Sequence, residues 1–338
     1  MKVLVTGGAG YIGSVLVRLL LEEGYDVKVV DRFFFGEKSL KGVADKVEIV
    51  KADIRDIGES VFRDVDVVMD LAALSNDPSG ELEPQKTIDI NYLGRLRVAH
   101  LSKKAGVKRY ILASSCSIYG AQDGMVDEES SINPLTTYAS ANYLAEQGTL
   151  VLGDENFTVT ALRQATVFGF SYRMRFDLAI NGMVGAYHTY GELKVLRDGT
   201  QWRPFVHVKD TSNAFIQVMK ASPEKVNKQI FNVGGNSLNI QILELAKLVT
   251  SSLNKPFEFS WYGDPDKRSY RVNFGKIKDV LGYEPEISFE DGIREIWQKM
   301  EEGAIKWDDP TTRTVGWYKT LIEWNNKIKS ISRCGEIL

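Results

Sequence analysis

The chain opens on a short apolar run, "KVLVT", which breaks into "GGAGYIGS" and then into a helical repeat, "YIGSVLVRLLLEEG". Gly7, Gly10 and Gly13 stand at the spacing G-x-x-G-x-x-G between a buried strand and a helix. Glycine lets the strand turn sharply and lets a pyrophosphate approach the backbone N–H groups at the helix N-terminus. A glycine-rich turn can also be a plain flexible loop. The flanking strand and helix, and an acidic residue ending the next strand, favour a dinucleotide site that includes Tyr11 and Ile12. The acidic residue is Asp31 in "VKVVDRFFFG". A carboxylate there accepts hydrogen bonds from the adenosine ribose and repels a 2′-phosphate, which favours NAD over NADP; Arg32 moderates that preference. Asp53 in "KADIRD", followed by Ile54, ends the third strand. It is placed to accept from the adenine amino group or to cap a helix, and the two roles are compatible.

The first half alternates apolar runs with helical patterns. "DVKVVD", "KVEIVKAD", "DVDVVMDLAA", "VKRYILASS" and "TVTALRQATVFG" read as strands two to six. "EPQKTIDINYLGRLRVAHLSKKAG" reads as one long helix, and another spans residues 136–153. Strands separated by helices predict right-handed crossovers and an α/β, doubly wound parallel (Rossmann) sheet. After Gly169 the rhythm changes. "ELKVL" and "RPFVHV" read as short strands, residues 209–220 as a helix, and "NIQILELAKLVTSSLN" as another. This predicts a cofactor domain over residues 1–169 and a smaller α/β substrate lobe over 170–338, with room for the chain to cross back.

Composition excludes several classes. With 338 residues and 43% hydrophobic content the chain suits a globular protein. A net charge of −3 gives no reason to expect nucleic acid or an anionic membrane as partner. Two cysteines, Cys116 and Cys334, argue against a disulfide framework and for a reducing cytoplasm. No segment approaches the ~18 apolar residues of a membrane span, and the N-terminal apolar run is too short for a signal-peptide core. His100, His188 and His207 lack a metal spacing, so no metal site is expected.

Taken together, "TGGAGYIG", Asp31, "DLAALS", "NYLG", "SSCSIYG", "NPLTTYASAN", "LRQATVFG", "GTQWRPFVHVKD" and "LGYEP" are specific. With them the chain resembles the extended short-chain dehydrogenase/reductase family, the nucleotide-sugar epimerases and dehydratases, from Met1 to about Trp297. The resemblance implies that Leu71, Ala72, Ala73, Asn91 and Gln164 contact the cofactor, Asn91 from a helix that supports the site. By analogy, the helices carrying Asn91 and Tyr138 form a homodimer interface. The implied chemistry is transient oxidation. A tyrosinate, here Tyr138, removes the proton of a sugar hydroxyl while hydride passes to NAD, and Ser115 hydrogen-bonds the same oxygen.

The family has a lysine where this chain has Asn142. The i, i+4 spacing puts Tyr138 and Asn142 on one helix face. Asparagine can bond ribose hydroxyls but supplies no positive charge. An unassisted tyrosine titrates near ~10, so roughly 0.1% is ionised at neutral pH. Three explanations stay open: natural variation in a working enzyme, an introduced change that slows turnover, or a protein that binds NAD and nucleotide sugar without efficient chemistry. In each case Asn142→Lys is expected to raise turnover or lower the pH optimum.

Family members that eliminate water carry acidic residues just after the serine. Cys116 and Ser117 stand there, which favours simple oxidation and re-reduction at one carbon, 4-epimerisation, over 4,6-dehydration or ketosugar reduction. Cys116 reads as a small packing residue. For the substrate, Arg203 matches the arginine that grips the diphosphate. Arg268 is a second candidate, a few residues beyond the usual place, where Gly263 stands. Ser75, Asn181 and Thr166 complete the expected sugar-side contacts. Arg173 and Arg175 in "SYRMRF" are left facing either solvent or ligand.

Overall fold

The computed structural model describes residues 1–333, so Cys334 lies outside the described residues. Valine-rich runs form a central sheet of β1 (Lys2–Thr6), β2 (Asp26–Asp31), β3 (Val47–Lys51), β4 (Val67–Asp70), β5 (Arg109–Ser115), β6 (Thr158–Gln164) and β7 (Gln229–Val233). The seven strands are all parallel, in the order β7-β6-β5-β4-β1-β2-β3. β1, β4, β5 and β6 are buried almost throughout, which is why they read as near-continuous apolar runs rather than alternating ones. The strand order reverses between β1 and β4. In such sheets ligands bind beyond the carboxyl ends at that reversal. The residues found there are the glycine turn, Asp31, Leu71 and Ser115.

Helices α1 (Gly13–Glu22), α2 (Arg95–Lys104), α3 (Thr137–Leu150) and α4 (Val208–Lys220) cover the two faces. α4 and β7 lie beyond residue 170 yet return to the central sheet. The chain therefore crosses back, and α4 buries Ala214, Phe215, Val218 and Met219 in the same core as Leu16, Val17 and Leu20 of α1.

The structure divides three stretches that read as single elements in sequence. "TVTALRQATVFG" breaks at Ala165, whose N–H turns to the Val233 carbonyl at 2.9 Å. The next strand, Thr166–Phe168, pairs with Trp202–His207 in a second sheet. Asn239–Gln241 is likewise a strand of that sheet, antiparallel to Trp202–Pro204, and the helix starts only at Ile242. The long helix before β5 contains a π-helical turn, Asp89–Gly94, between Pro84–Ile88 and α2. A π turn shifts every later side chain around the helix. Gly94 closes it under Ile54, where a Cβ would sit 3.0 Å from the isoleucine side chain.

A further helix, α5, spans Thr314–Ile331. No described helix is long and apolar enough to cross a membrane.

Candidate active site

The carboxyl ends of the strands and the second lobe enclose a cleft of about 450 Å³. The glycine turn forms one end, with Gly7, Gly10, Tyr11, Ile12 and Gly13 all on its wall. Gly7 has φ +67°, a conformation that favours glycine. A Cβ on Gly13 would stand 2.2 Å from the Gly7 carbonyl oxygen, so only hydrogen lets the turn close on α1. This cradle fits a pyrophosphate.

Asp31 also lines the cleft. It accepts from Ala9 N–H at 3.0 Å and Phe33 N–H at 2.7 Å. Burial pushes its carboxyl up, against the pull of those N–H donors. Arg32 and Ile54 stand nearby. Asp53 is paired with Arg32 at 2.8 Å and Arg55 at 2.7 Å. Burial opposes its ionisation, but Arg55 and Arg32 hold it down at about 2. Asp53 Oδ1 accepts from Arg55 N–H at 2.9 Å in a turn, so the expected helix cap is a turn cap.

The floor is built from β1 and β4. Thr6 Oγ1 accepts from Leu71 and Ala72 N–H, both at 3.1 Å, and donates to Asp70. This fixes Leu71, Ala72 and Ala73 against the cleft. Asn91, expected at the cofactor, is fully buried and off the wall. It clamps Leu74, accepting from its N–H at 2.8 Å and donating to its carbonyl at 3.0 Å.

Tyr138 enters the middle of the cleft from the first turn of α3, which Thr136 caps through Ala139 N–H at 3.1 Å. Its backbone packs on Gly80, where a Cβ would lie 2.9 Å from the tyrosine Cβ. Ser115, at the end of β5, lines the same cleft, and its Oγ accepts from Ser117 N–H at 3.1 Å. Burial pushes the phenol above its ordinary value. The Arg95 guanidinium pulls it back, Asp77 adds to the rise, and Ser115 and Arg175 pull it down.

Asn142 is fully buried and off the cleft wall. Its Nδ2 donates to the Tyr138 carbonyl at 2.9 Å, and its Oδ1 accepts from Arg95 at 2.7 Å. The side chain expected on the ribose thus holds the helix and an arginine instead, because an amide is too short to pass them. Cys116 is sealed behind the site, donating to the Arg163 carbonyl at 3.2 Å. Burial pushes its thiol well up.

At the far end Arg203 and Arg268 meet on Asp266, at 2.8 and 2.6 Å, and both line the cleft with Ser75, Gln164 and Thr166. Arg268 also pairs with Asp77. Asn181, expected on the substrate, is fully buried. It accepts from Gly169 N–H at 3.0 Å and donates to Tyr11 Oη at 3.0 Å and the Arg175 carbonyl at 2.9 Å. It therefore ties the two lobes. Neither Arg173 nor Arg175 faces solvent. Arg175 pairs with Asp177 at 2.6 Å and bonds Ser75 Oγ at 3.1 Å; Arg173 lies 3.5 Å over the Phe35 ring.

Four further residues join the site without a sequence signal that distinguishes them: Arg95, Asp77, Gln201 and Tyr318. Gln201 is buried, and neither polar atom of its amide has a partner. It lines an extension of the cleft into the second lobe, about 420 Å³, which shares Thr166, Arg203 and Arg268 with the main cleft. No group of acidic, histidine or cysteine side chains suited to a metal ion occurs among the described residues.

Known proteins share this architecture. The model of the NAD dependent epimerase/dehydratase family matches residues 3–234. A UDP-glucose 4-epimerase of Lactobacillus helveticus is 32% identical over 326 residues, covering 88% of this chain and 96% of the relative. UDP-glucuronic acid decarboxylase 4 of Arabidopsis thaliana is 30% identical over 328 residues, covering 92% of this chain and 72% of the relative. Among solved structures, the dTDP-glucose 4,6-dehydratase DesIV of Streptomyces venezuelae, with NAD bound, superposes with a TM-score of 0.78 at 26% identity, covering 96% of this chain and 98% of that one. Sequence, fold and cleft agree: the chain belongs to the NAD dependent epimerase/dehydratase family and is one of its enzymes.

Proposed function

We propose that the protein is an NAD-dependent nucleotide-sugar 4-epimerase. One observation carries this reading: Tyr138 and Ser115 line the same cleft, with a pyrophosphate cradle at one end and the Arg203–Arg268 pair at the other. The glycine turn would hold NAD, which would supply the hydride acceptor and donor for the sugar C4. The chain supplies the rest. The glycine-turn N–H groups bind the cofactor pyrophosphate, and Asp31 and Arg32 stand where the adenosine ribose lies. Arg203 and Arg268, gathered on Asp266, supply positive charge to the substrate diphosphate. The unpartnered Gln201 amide offers a donor and an acceptor to the nucleobase. Tyr138 accepts the C4 hydroxyl proton, and Ser115 bonds the oxygen as charge develops on it.

Epimerisation is favoured over elimination by what surrounds the phenol. Cys116 is buried away from the cleft and Ser117 carries no carboxyl proton. Asp77, the carboxylate nearest in effect to Tyr138, is paired with Arg268 and accepts from Thr136 Oγ1 at 2.5 Å. Both of its oxygens are thus already engaged. Exposed Leu93, Leu144 and Val151 on the α2–α3 side support a homodimer through those helices.

The test is a panel of UDP-, dTDP-, GDP- and CDP-sugars given to NAD-loaded protein. Interconversion of C4 isomers with no net change in cofactor is expected. A 4-keto-6-deoxy product would overturn the reading.

A further inference from the structure

Arg95 is an unusual residue to find inside this enzyme. It is 2% exposed, at the first position of α2, directly after the π turn Asp89–Gly94. That turn aims it across to α3 rather than along the sheet. Its side chain makes two hydrogen bonds: Nε to the Ala72 carbonyl at 3.0 Å and a terminal nitrogen to Asn142 Oδ1 at 2.7 Å. Both acceptors are neutral. By contrast Arg32, Arg163, Arg175, Arg203 and Arg268 all bond carboxylates. The positive charge of Arg95 is thus buried and fixed with no anion hydrogen-bonded to it; the buried Asp70 of β4, held by Thr6 and Tyr110, is the carboxylate that faces it, and the guanidinium borders the cleft that Tyr138 enters. Asn142 joins the two, holding Arg95 with its oxygen and the Tyr138 carbonyl with its nitrogen.

We infer that Arg95 is the cationic positioning residue of the site: reaching from α2 and held by Asn142, it supplies the fixed positive charge that the phenolate form of Tyr138 requires. Arginine suits the task because it stays charged when buried, where lysine tends to lose its proton. The other charged groups facing the phenol are Arg175 from the second lobe, which assists, and Asp77 from the Asp77–Gly80 turn, which opposes. Asp77 is already held by Arg268. Asn142 then marks a relocation of the cation and not its loss. Lysine at 142 would press an ammonium against the guanidinium, so Asn142→Lys alone is expected to lower turnover, the reverse of the expectation from sequence.

The inference rests on Tyr138 being the base, so its main test needs no sugar. NAD-loaded protein is titrated by the ultraviolet difference absorbance of phenolate, with Tyr138→Phe as the blank that assigns the signal. Arg95→Met is expected to move the Tyr138 titration up by about one pH unit or more, an effect of about tenfold on the phenolate fraction at neutral pH. Arg95→Met combined with Asn142→Lys is expected to restore the wild-type value. An unchanged titration in Arg95→Met would overturn the inference. If Arg95→Met does not fold, Asn142→Lys decides: lower turnover supports the inference and higher turnover overturns it. If no nucleotide sugar is turned over, the epimerase reading fails while the phenol titration still judges Arg95.

Discussion

Arg163 of β6 and Glu146 of α3 form an ion pair at 2.8 Å in which the two side chains are 3% and 0% exposed. Glu146 also accepts from Ser114 Oγ, and Arg163 donates to Tyr119 Oη at 2.9 Å. The pair lies one turn beyond Asn142 and fixes how α3 is rotated against β5. That rotation brings Tyr138 to the cleft that Ser115 lines. Removing one partner of a buried pair leaves the other charge uncompensated, which costs about 3–5 kcal/mol. Glu146→Gln is therefore expected to lower unfolding free energy by about 3 kcal/mol. Denaturant titration checks it; a change within experimental error would show that the pair does not hold the helix.

The glycine turn allows a sharper steric prediction. A Cβ at position 13 meets the Gly7 carbonyl oxygen at 2.2 Å, a backbone atom that cannot rotate away. Gly13→Ala must therefore push α1 off the turn. About tenfold or greater loss of NAD affinity is expected, together with a stability loss of about 1–3 kcal/mol. Calorimetric titration with NAD and a melting curve separate the two effects. Gly24→Ala is no useful control because Gly24 has φ +82°; Gly58, with nothing within 4 Å of its Cβ position, should tolerate alanine.

Acid stability should be carried in part by Glu295. It accepts from Phe170 N–H at 3.1 Å and pairs with His207 at 2.9 Å and Lys209 at 3.1 Å. Burial alone would raise its carboxyl, but His207, Phe170 N–H and Lys209 hold it at about 2, below an ordinary 4.5. A group depressed in the folded state contributes fully above its unfolded value and loses that contribution as pH falls through its folded value. The window is therefore from about 4.5 down to about 2. Denaturation midpoints measured across it should fall steeply in the wild type and less steeply in Glu295→Gln. Equal slopes would remove the assignment.

Substrate grip is predicted to divide between two arginines. Arg203→Ala removes charge-assisted bonds worth about 1.5–3 kcal/mol, so KM for the nucleotide sugar should rise roughly 10- to 100-fold with a smaller change in kcat. The fold should survive, because Asp266 keeps Arg268 at 2.6 Å. Arg203→Lys should recover only part of the loss, since an ammonium cannot make the paired contacts of a guanidinium. A KM that stays put in both variants would move the diphosphate elsewhere.

What the sequence made legible was whatever depends on local spacing. The glycine turn, Asp31 at a strand end and the placement of Tyr138 one turn into α3 all follow from period and punctuation. So does the parallel sheet, because its strands are buried on both faces and read as unbroken apolar runs. Long-range partnerships did not show. Asn142 was legible as a missing charge, yet Arg95 stands 47 positions away and meets it only because a π turn redirects α2. Asn181 reads as a polar ligand-facing residue and proves to be a tie between Tyr11 and Gly169, partners set by lobe packing. β6 stops at Gln164 because the chain there leaves its distant partner Val233 and passes to Phe205–His207 in the second sheet.

The C-terminal helix lies outside the family match at 3–234 and reaches back to the cofactor end of the cleft. Trp317 Nε1 donates to the Phe34 carbonyl at 2.5 Å. Tyr318 lines the cleft and packs on Phe34 and Phe35, with ring centroids 5.7 and 5.4 Å away. Arg173 holds the same layer, 3.5 Å over Phe35 and bonded to Thr314 at 3.1 Å. The loop after Asp31 is thus clasped from outside by α5, which predicts that α5 slows the release of NAD held along that loop. Tyr318→Ala is expected to speed NAD release about tenfold, one aromatic contact being worth about 0.5–1.5 kcal/mol beyond its buried area. Removing α5 by ending the chain after Asp309 should speed it further, with NAD lost on gel filtration that the full chain retains. Turnover at saturating NAD should change little, because Tyr138, Ser115 and Arg95 lie on other elements. NAD retention equal to that of the intact chain in both variants would show that α5 packs on the loop without guarding the cofactor.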